Sequence, residues 1–173
     1  MEIAELKILY FEDDGIIPNN PNLPVLLYRD ALSGETDRPE TVFERNEWCN
    51  SWRNGIFDYH HFHSNTHEVL GVIDGEAEVL VGGEFGETVR FQKGDVLILP
   101  AGTGHKRISA SDDFKVAGAY PDGRDFNTKK GRTDDRTSSR LDIISVPLPS
   151  CDPVFGGSGP LIRHWRIPRN PSL

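Results

Sequence analysis

Basic residues are the scarce charge in this chain. Against 27 Asp and Glu stand 19 Lys and Arg, so the formal net charge is -8. Nucleic-acid binders concentrate Lys and Arg on one face, so nucleic acid is not an expected partner. The nearest basic cluster, Lys129, Lys130, Arg132, Arg136 and Arg140, is interrupted by Asp134 and Asp135 and reads as a solvated loop. Long apolar runs are missing as well, and none approaches the ~20 residues of a membrane span. The start, MEIAELKILYFEDD, carries Glu2 and Glu5 where a secretory signal is basic and then uniformly apolar. A cytoplasmic location without membrane contact is the expectation. Cysteine is nearly absent: Cys49 and Cys151 lie about a hundred residues apart with no C-x-x-C spacing. That excludes a zinc knuckle or a dithiol motif and leaves two free thiols.

Helical periodicity is also in short supply. Seventeen Gly and twelve Pro punctuate brief apolar segments, which is the pattern of a chain of short strands. Strands are expected at 6 to 11, 25 to 30, 56 to 63, 68 to 74, 76 to 81, 87 to 91, 95 to 100, 105 to 110, 114 to 120, 143 to 148 and 161 to 167. Only residues 40 to 54 have helical spacing, with Val42, Cys49 and Trp52 on one stripe and Thr41 placed to cap. GGEFGE, at 82 to 87, reads as a hairpin turn. Residues 121 to 142 and the Pro- and Gly-rich stretch 147 to 160 read as surface loops or covers over an opening. The fold class is all-β with one or two short helices, in one domain spanning 1–173.

Histidine is the residue that is present in an unusual way. Four of the six fall within HHFHSNTH, residues 60 to 67. On a strand, His61 and His63 point to one face, shared with Phe57 and Tyr59 as an apolar floor. A turn through Ser64, Asn65 and Thr66 then returns the chain antiparallel, with Glu68 near the start of the next strand. His105 follows the sharp turn PAGTG. Three neutral imidazoles and a carboxylate suit one divalent transition metal, whether iron, manganese, nickel, cobalt or zinc. Four protein ligands leave open positions for a small molecule, so the site is chemical rather than a closed structural one.

These residues resemble the cupin superfamily. Gly55, His61, His63, Glu68 and Gly75 follow G-x5-H-x-H-x4-E-x6-G, and Gly94, Pro100, Gly102 and His105 follow G-x5-P-x-G-x2-H. One departure is Ser109, where the second motif usually carries Asn. The resemblance implies a jelly-roll (double-stranded β-helix) barrel with a motif core at 55–110. The flanking extensions are then an N-terminal one at 1–54 and a C-terminal one at 121–173. It also implies metal ligands at His61, His63, Glu68 and His105, and a homodimer in which an edge strand such as LKILYF is covered.

Candidate catalytic residues are Tyr59, on the ligand face, and His67, beside Glu68; His60 should face the opposite way. Arg107 shares strand parity with His105 and is the candidate to hold a substrate carboxylate, ahead of Arg53 and Arg90. The expected activity is that of a small metalloenzyme, with oxidative chemistry such as a dioxygenase reaction on a small polar organic molecule. The alternatives are a non-catalytic sensor or carrier, and a sugar isomerase or epimerase built on Tyr59 and His67.

Overall fold

A computed structural model describes residues 2–131 and 136–166. Nine strands and three short helices follow in the order β1 (Glu5–Leu9), β2 (Val25–Arg29), α1 (Pro39–Arg45), β3 (Trp48–Asn54), β4 (Glu68–Asp74), β5 (Glu76–Val81), β6 (Glu87–Gln92), β7 (Val96–Leu99), β8 (His105–Ala110), β9 (Lys115–Pro121), α2 (Arg136–Ser145) and α3 (Pro160–His164). Two antiparallel sheets face one another: one in the order β1-β2-β7-β4-β9-β3, the other β6-β5-β8. Alternating residues of both sheets, among them Leu27, Leu70, Leu97, Val116, Val79, Val89 and Phe91, fill the space between them. The all-β jelly roll is therefore as expected, with one helix more than foreseen.

Turn chemistry sets the connections. Gly75, between β4 and β5, has φ +73°, and a Cβ there would come within 2.8 Å of the Phe114 Cα; only glycine serves. GGEFGE closes the β5–β6 hairpin as its composition predicts.

Several expected elements differ. Residues 56 to 63 form no regular strand; an isolated bridge from His61 to His105 and the Arg107 amide donating to the Phe57 carbonyl tie them to β8, and a second bridge joins Phe62 to Lys129 in the loop after β9. Nor does β4 fold back on that segment. It lies instead between β7 and β9 in the middle of the larger sheet. The helix expected at 40 to 54 splits. Pro39 opens α1 with no side-chain cap from Thr41, and Glu47 at φ +67° turns the chain into β3. The apolar runs at 143 to 148 and 161 to 167 form the end of α2 and most of α3 with irregular residues after them instead of strands, Ile167 lying outside the described residues. Short apolar runs carry too few residues for periodicity to separate helix from strand. Here one-sided burial decides: Ile143 is buried while Leu141 and Ile144 face out.

The 147 to 160 stretch packs on the outer face of the larger sheet, away from the barrel mouth. Tyr28 Oη donates to Asp152 Oδ2 at 2.5 Å, and Trp48 Nε1 donates to the Cys151 carbonyl at 2.9 Å. Asp152 also accepts from the amides of Val154, Phe155 and Leu161, so this fully buried carboxylate organises the whole turn. Among the described residues no helix is long and apolar enough to cross a membrane. Of the basic cluster noted above, Arg132, Asp134 and Asp135 lie outside the described residues.

Candidate metal centre

The two sheets and the segment joining β3 to β4 meet at one point. His105 opens β8 on the smaller sheet, and Glu68 opens β4 on the larger. His61 and His63 come from the linking segment. That segment is pinned by backbone: the amides of His61 and His105 each donate to the other's carbonyl, at 3.3 and 3.0 Å, and the Gly102 amide donates to the His63 carbonyl at 2.7 Å. No hairpin is needed, because backbone bonds to the 102 to 105 turn hold the histidines where a strand would have.

Each imidazole is fixed from behind. His61 Nδ1 meets the Tyr59 carbonyl at 3.2 Å, His105 Nδ1 meets the Thr103 carbonyl at 3.1 Å, and His63 Nδ1 bonds the Asn127 carbonyl. A ring that donates through Nδ1 presents a bare Nε2 to its other side, which is the tautomer a metal takes up. The three rings offer ligand atoms all within 4.8 Å of one another. Glu68 adds a carboxylate, with Oε2 3.2 Å from His63 Nε2 and Oε1 3.3 Å from His105 Nε2. The four side chains expose only 5, 6, 2 and 2% of their residues' surface for His61, His63, Glu68 and His105. Glu68 Oε1 is buried without an aligned hydrogen bond, a costly state that an ion relieves. The donor set fits a metal ion.

Burial drives the His61 pKa down to about 3, with the neighbouring His105 adding to the effect. For His63 burial acts the same way, but the Glu68 carboxylate outweighs it and the pKa lies above its ordinary value. Burial opposes ionisation of Glu68, yet His63 and His105 beside it hold its carboxyl well below the usual range.

Two residues complete the site that sequence reading passed over. Tyr120 Oη donates to Glu68 Oε2 at 2.9 Å, and Trp52 Nε1 donates to Tyr120 Oη at 2.7 Å. The irregular register of β3 between Cys49 and Trp52 marks a bulge ahead of the indole, and bulges re-aim side chains in this way. Gly118, opposite Trp52, leaves room for the ring: a Cβ there would sit 2.3 Å from it. Burial, reinforced by the Glu68 charge, pushes the Tyr120 phenol far up, so it remains a donor.

Above the cluster a cavity of about 500 Å3 opens outward. Its lining includes the four candidate ligands, Trp52, Leu70, Tyr120, Arg107, Asp58 and Thr128, with Phe57 and Phe126 toward the mouth. Phe57 is 52% exposed, a rim residue instead of a floor. Phe126 stacks on Tyr120 with ring centres 4.7 Å apart. Tyr59 stacks on Phe57 under Lys130 and does not line the cavity. His67 is fully buried on the far side, where its Nδ1 accepts the Ala101 amide at 2.9 Å and its ring packs on Trp165. His60 turns away from the cluster to Glu84. The structure thus gathers His61, His63, Glu68, His105 and Arg107, and leaves Tyr59 and His67 outside.

Fold and site define a bacterial single-domain cupin, and the chain belongs to that family. The Cupin domain family matches residues 53–117. A Bacillus subtilis (strain 168) relative, the uncharacterised protein YjlB, is 43% identical over 161 residues, covering 93% of this chain and 97% of that protein. Among solved structures, a Klebsiella pneumoniae protein with a double-stranded β-helix domain is 13% identical, with a TM-score of 0.38 over 76% of this chain and 83% of that one. The 11S allergen of Cocos nucifera is 20% identical over 46% of this chain, with a TM-score of 0.38; the chain spans 24% of that protein's length.

Proposed function

We propose that this protein is a small metal-dependent enzyme in which His61, His63, Glu68 and His105 hold one divalent transition metal and a small polar organic molecule reacts in the cavity above it. The observation that carries this reading is the convergence of three Nδ1-anchored imidazoles, their ligand atoms within 4.8 Å of one another, with the buried Glu68 carboxylate beside two of them. Neutral imidazole with a single carboxylate is the donor set of iron, manganese, nickel, cobalt or zinc. When bound, such an ion supplies Lewis acidity and, for a redox-active metal, electrons for oxidative chemistry of the dioxygenase type. The chain's own residues do the rest. Tyr120 holds Glu68 in one orientation, Leu70 and Trp52 exclude water, and Arg107 and Thr128 offer polar contacts to the ligand.

Oxygen consumption by iron-loaded protein, assayed against a panel of small organic acids, tests the reaction. Substrate-dependent consumption in the wild type and none in His105→Ala is the expected result. Substrate binding without turnover with any of the metals contradicts the enzymatic reading and leaves a sensor or carrier. One observation favours that second reading: Tyr120 is committed to Glu68 and Trp52, so Asp58 is the one carboxylate besides Glu68 in the lining. The sugar isomerase reading asks Tyr59 and His67 to face the ligand, and neither lines the cavity.

A homodimer remains part of the proposal. β1 is an edge strand of the larger sheet with its outer side unpaired among the described strands, a surface that a second copy can cover. The two free cysteines agree with a reducing, cytoplasmic setting.

A further inference from the structure

Among the described residues Arg107 is a charge without an ion-pair partner, and it lines the cavity. Its Cα pairs with Val79, which is fully buried between the sheets, so Arg107 points to the inner face of β8. His105 lies two residues earlier on the same face, about 7 Å along the strand. The Arg107 amide donates to the Phe57 carbonyl at 2.9 Å, which fixes its backbone against the mouth. Among the described residues no carboxylate lies within ion-pairing distance of its guanidinium. The other arginine in the lining, Arg53, is tied to Glu40. Asp58 lines the same mouth from an exposed position and does not pair with Arg107.

A half-buried guanidinium beside apolar walls is poorly solvated, and its planar fork matches a carboxylate in two parallel hydrogen bonds. The walls themselves are largely apolar: Ile56, Phe57, Leu70 and Phe126 line the cavity together with Arg107 and the three imidazoles, and two of the four are flat aromatic rings. We propose that the cavity takes a planar organic carboxylate, its carboxylate on Arg107, its body between Phe57 and Phe126, and its far polar edge at the His61, His63 and His105 cluster. This deepens the proposed function and rests on it for the far edge alone; the Arg107 contact stands without the metal.

The test uses 3,4-dihydroxybenzoate and its amide, 3,4-dihydroxybenzamide, whose oxygen pair and carboxyl group lie on opposite edges of one ring. Binding to zinc-loaded protein, which has no redox chemistry, is measured by titration calorimetry, with zinc content determined for every sample. The wild type binds the acid roughly tenfold or more tighter than the amide, as expected for hydrogen bonds to a charged group. Arg107→Gln loses that preference while keeping its zinc and its affinity for the amide, and Arg107→Lys keeps part of the preference. Equal binding of acid and amide by the wild type, no binding of the acid, or an undiminished preference in Arg107→Gln overturns the proposal. Should Arg107→Gln not fold, the wild-type ratio and Arg107→Lys decide. Should the protein take up no zinc, the metal reading fails separately, and the acid-to-amide ratio of the metal-free protein still decides the Arg107 contact.

Discussion

Tyr120 donates its phenolic hydrogen to Glu68 at 2.9 Å, and that bond ties the candidate metal centre to the frame of the larger sheet. β4 and β9 pair Val69 with Ala119, so the next rung sets Glu68 opposite Tyr120. The carboxylate cannot rotate without breaking this bond, and Trp52 braces the phenol from behind.

Replacing Tyr120 with Phe removes the donor and leaves the ring. Loss of an outer hydrogen bond to a metal-binding carboxylate costs about 10- to 100-fold in metal affinity. Competition against a chromophoric chelator should show that weakening while circular dichroism stays unchanged. An unchanged affinity would mean that Glu68 is held by something else.

Gly118→Ala attacks the same relay from its other end. The added methyl meets the Trp52 indole, so either the ring moves or the strands part. Overpacking of this kind costs about 1–3 kcal/mol. Denaturant unfolding should register the loss, and Trp52 fluorescence should shift as the indole leaves Tyr120.

How far the chain could be read from its sequence follows from the same residues. Strands β4 and β5 are legible to the residue, because their short apolar runs are bounded by Gly75 and by Gly82. The four candidate ligands are legible as residue types at fixed spacing. Tyr120 is not, because FKVAGAY reads as a buried apolar strand, and the value of its hydroxyl depends on pairing with a strand fifty residues earlier. The small side chains around Gly118 are the one local signal that something large lies across the strand. Trp52 is hidden for a related reason: a bulge breaks the parity from which its direction would be read. Residues 56 to 63 look like a strand because aromatic and β-prone residues fill them, yet their backbone is held by a turn and not by a ladder.

Acid should destabilise the metal-free protein over a defined window. Burial holds His61 and His67 to about 3 against an ordinary 6.5. The unfolded chain therefore takes up protons on both rings as pH falls through 6.5, and the folded chain does not. Their contribution is full above about 6.5 and is lost as pH drops toward 3. Glu68, held below its ordinary 4.5, adds a further loss at lower pH. His63, raised, acts in the opposite direction and in another window: its contribution is lost as pH rises above 6.5 through its raised value and is constant below 6.5. Thermal melts should show a decline from about pH 6.5 down to pH 4, shallower in His67→Gln, where the amide can still accept from Ala101.

The central claim is that His61, His63, Glu68 and His105 act as one metal centre, and elemental analysis of untagged protein tests it most directly. The account predicts about one equivalent of a divalent transition metal in the wild type, lost in His61→Ala and in His105→Ala, and retained in Trp165→Ala, which removes an indole packed on His67 and bonded to the Pro24 carbonyl in the core outside the barrel. Metal that survives either histidine substitution, or a wild type that takes up none on reconstitution, would contradict it.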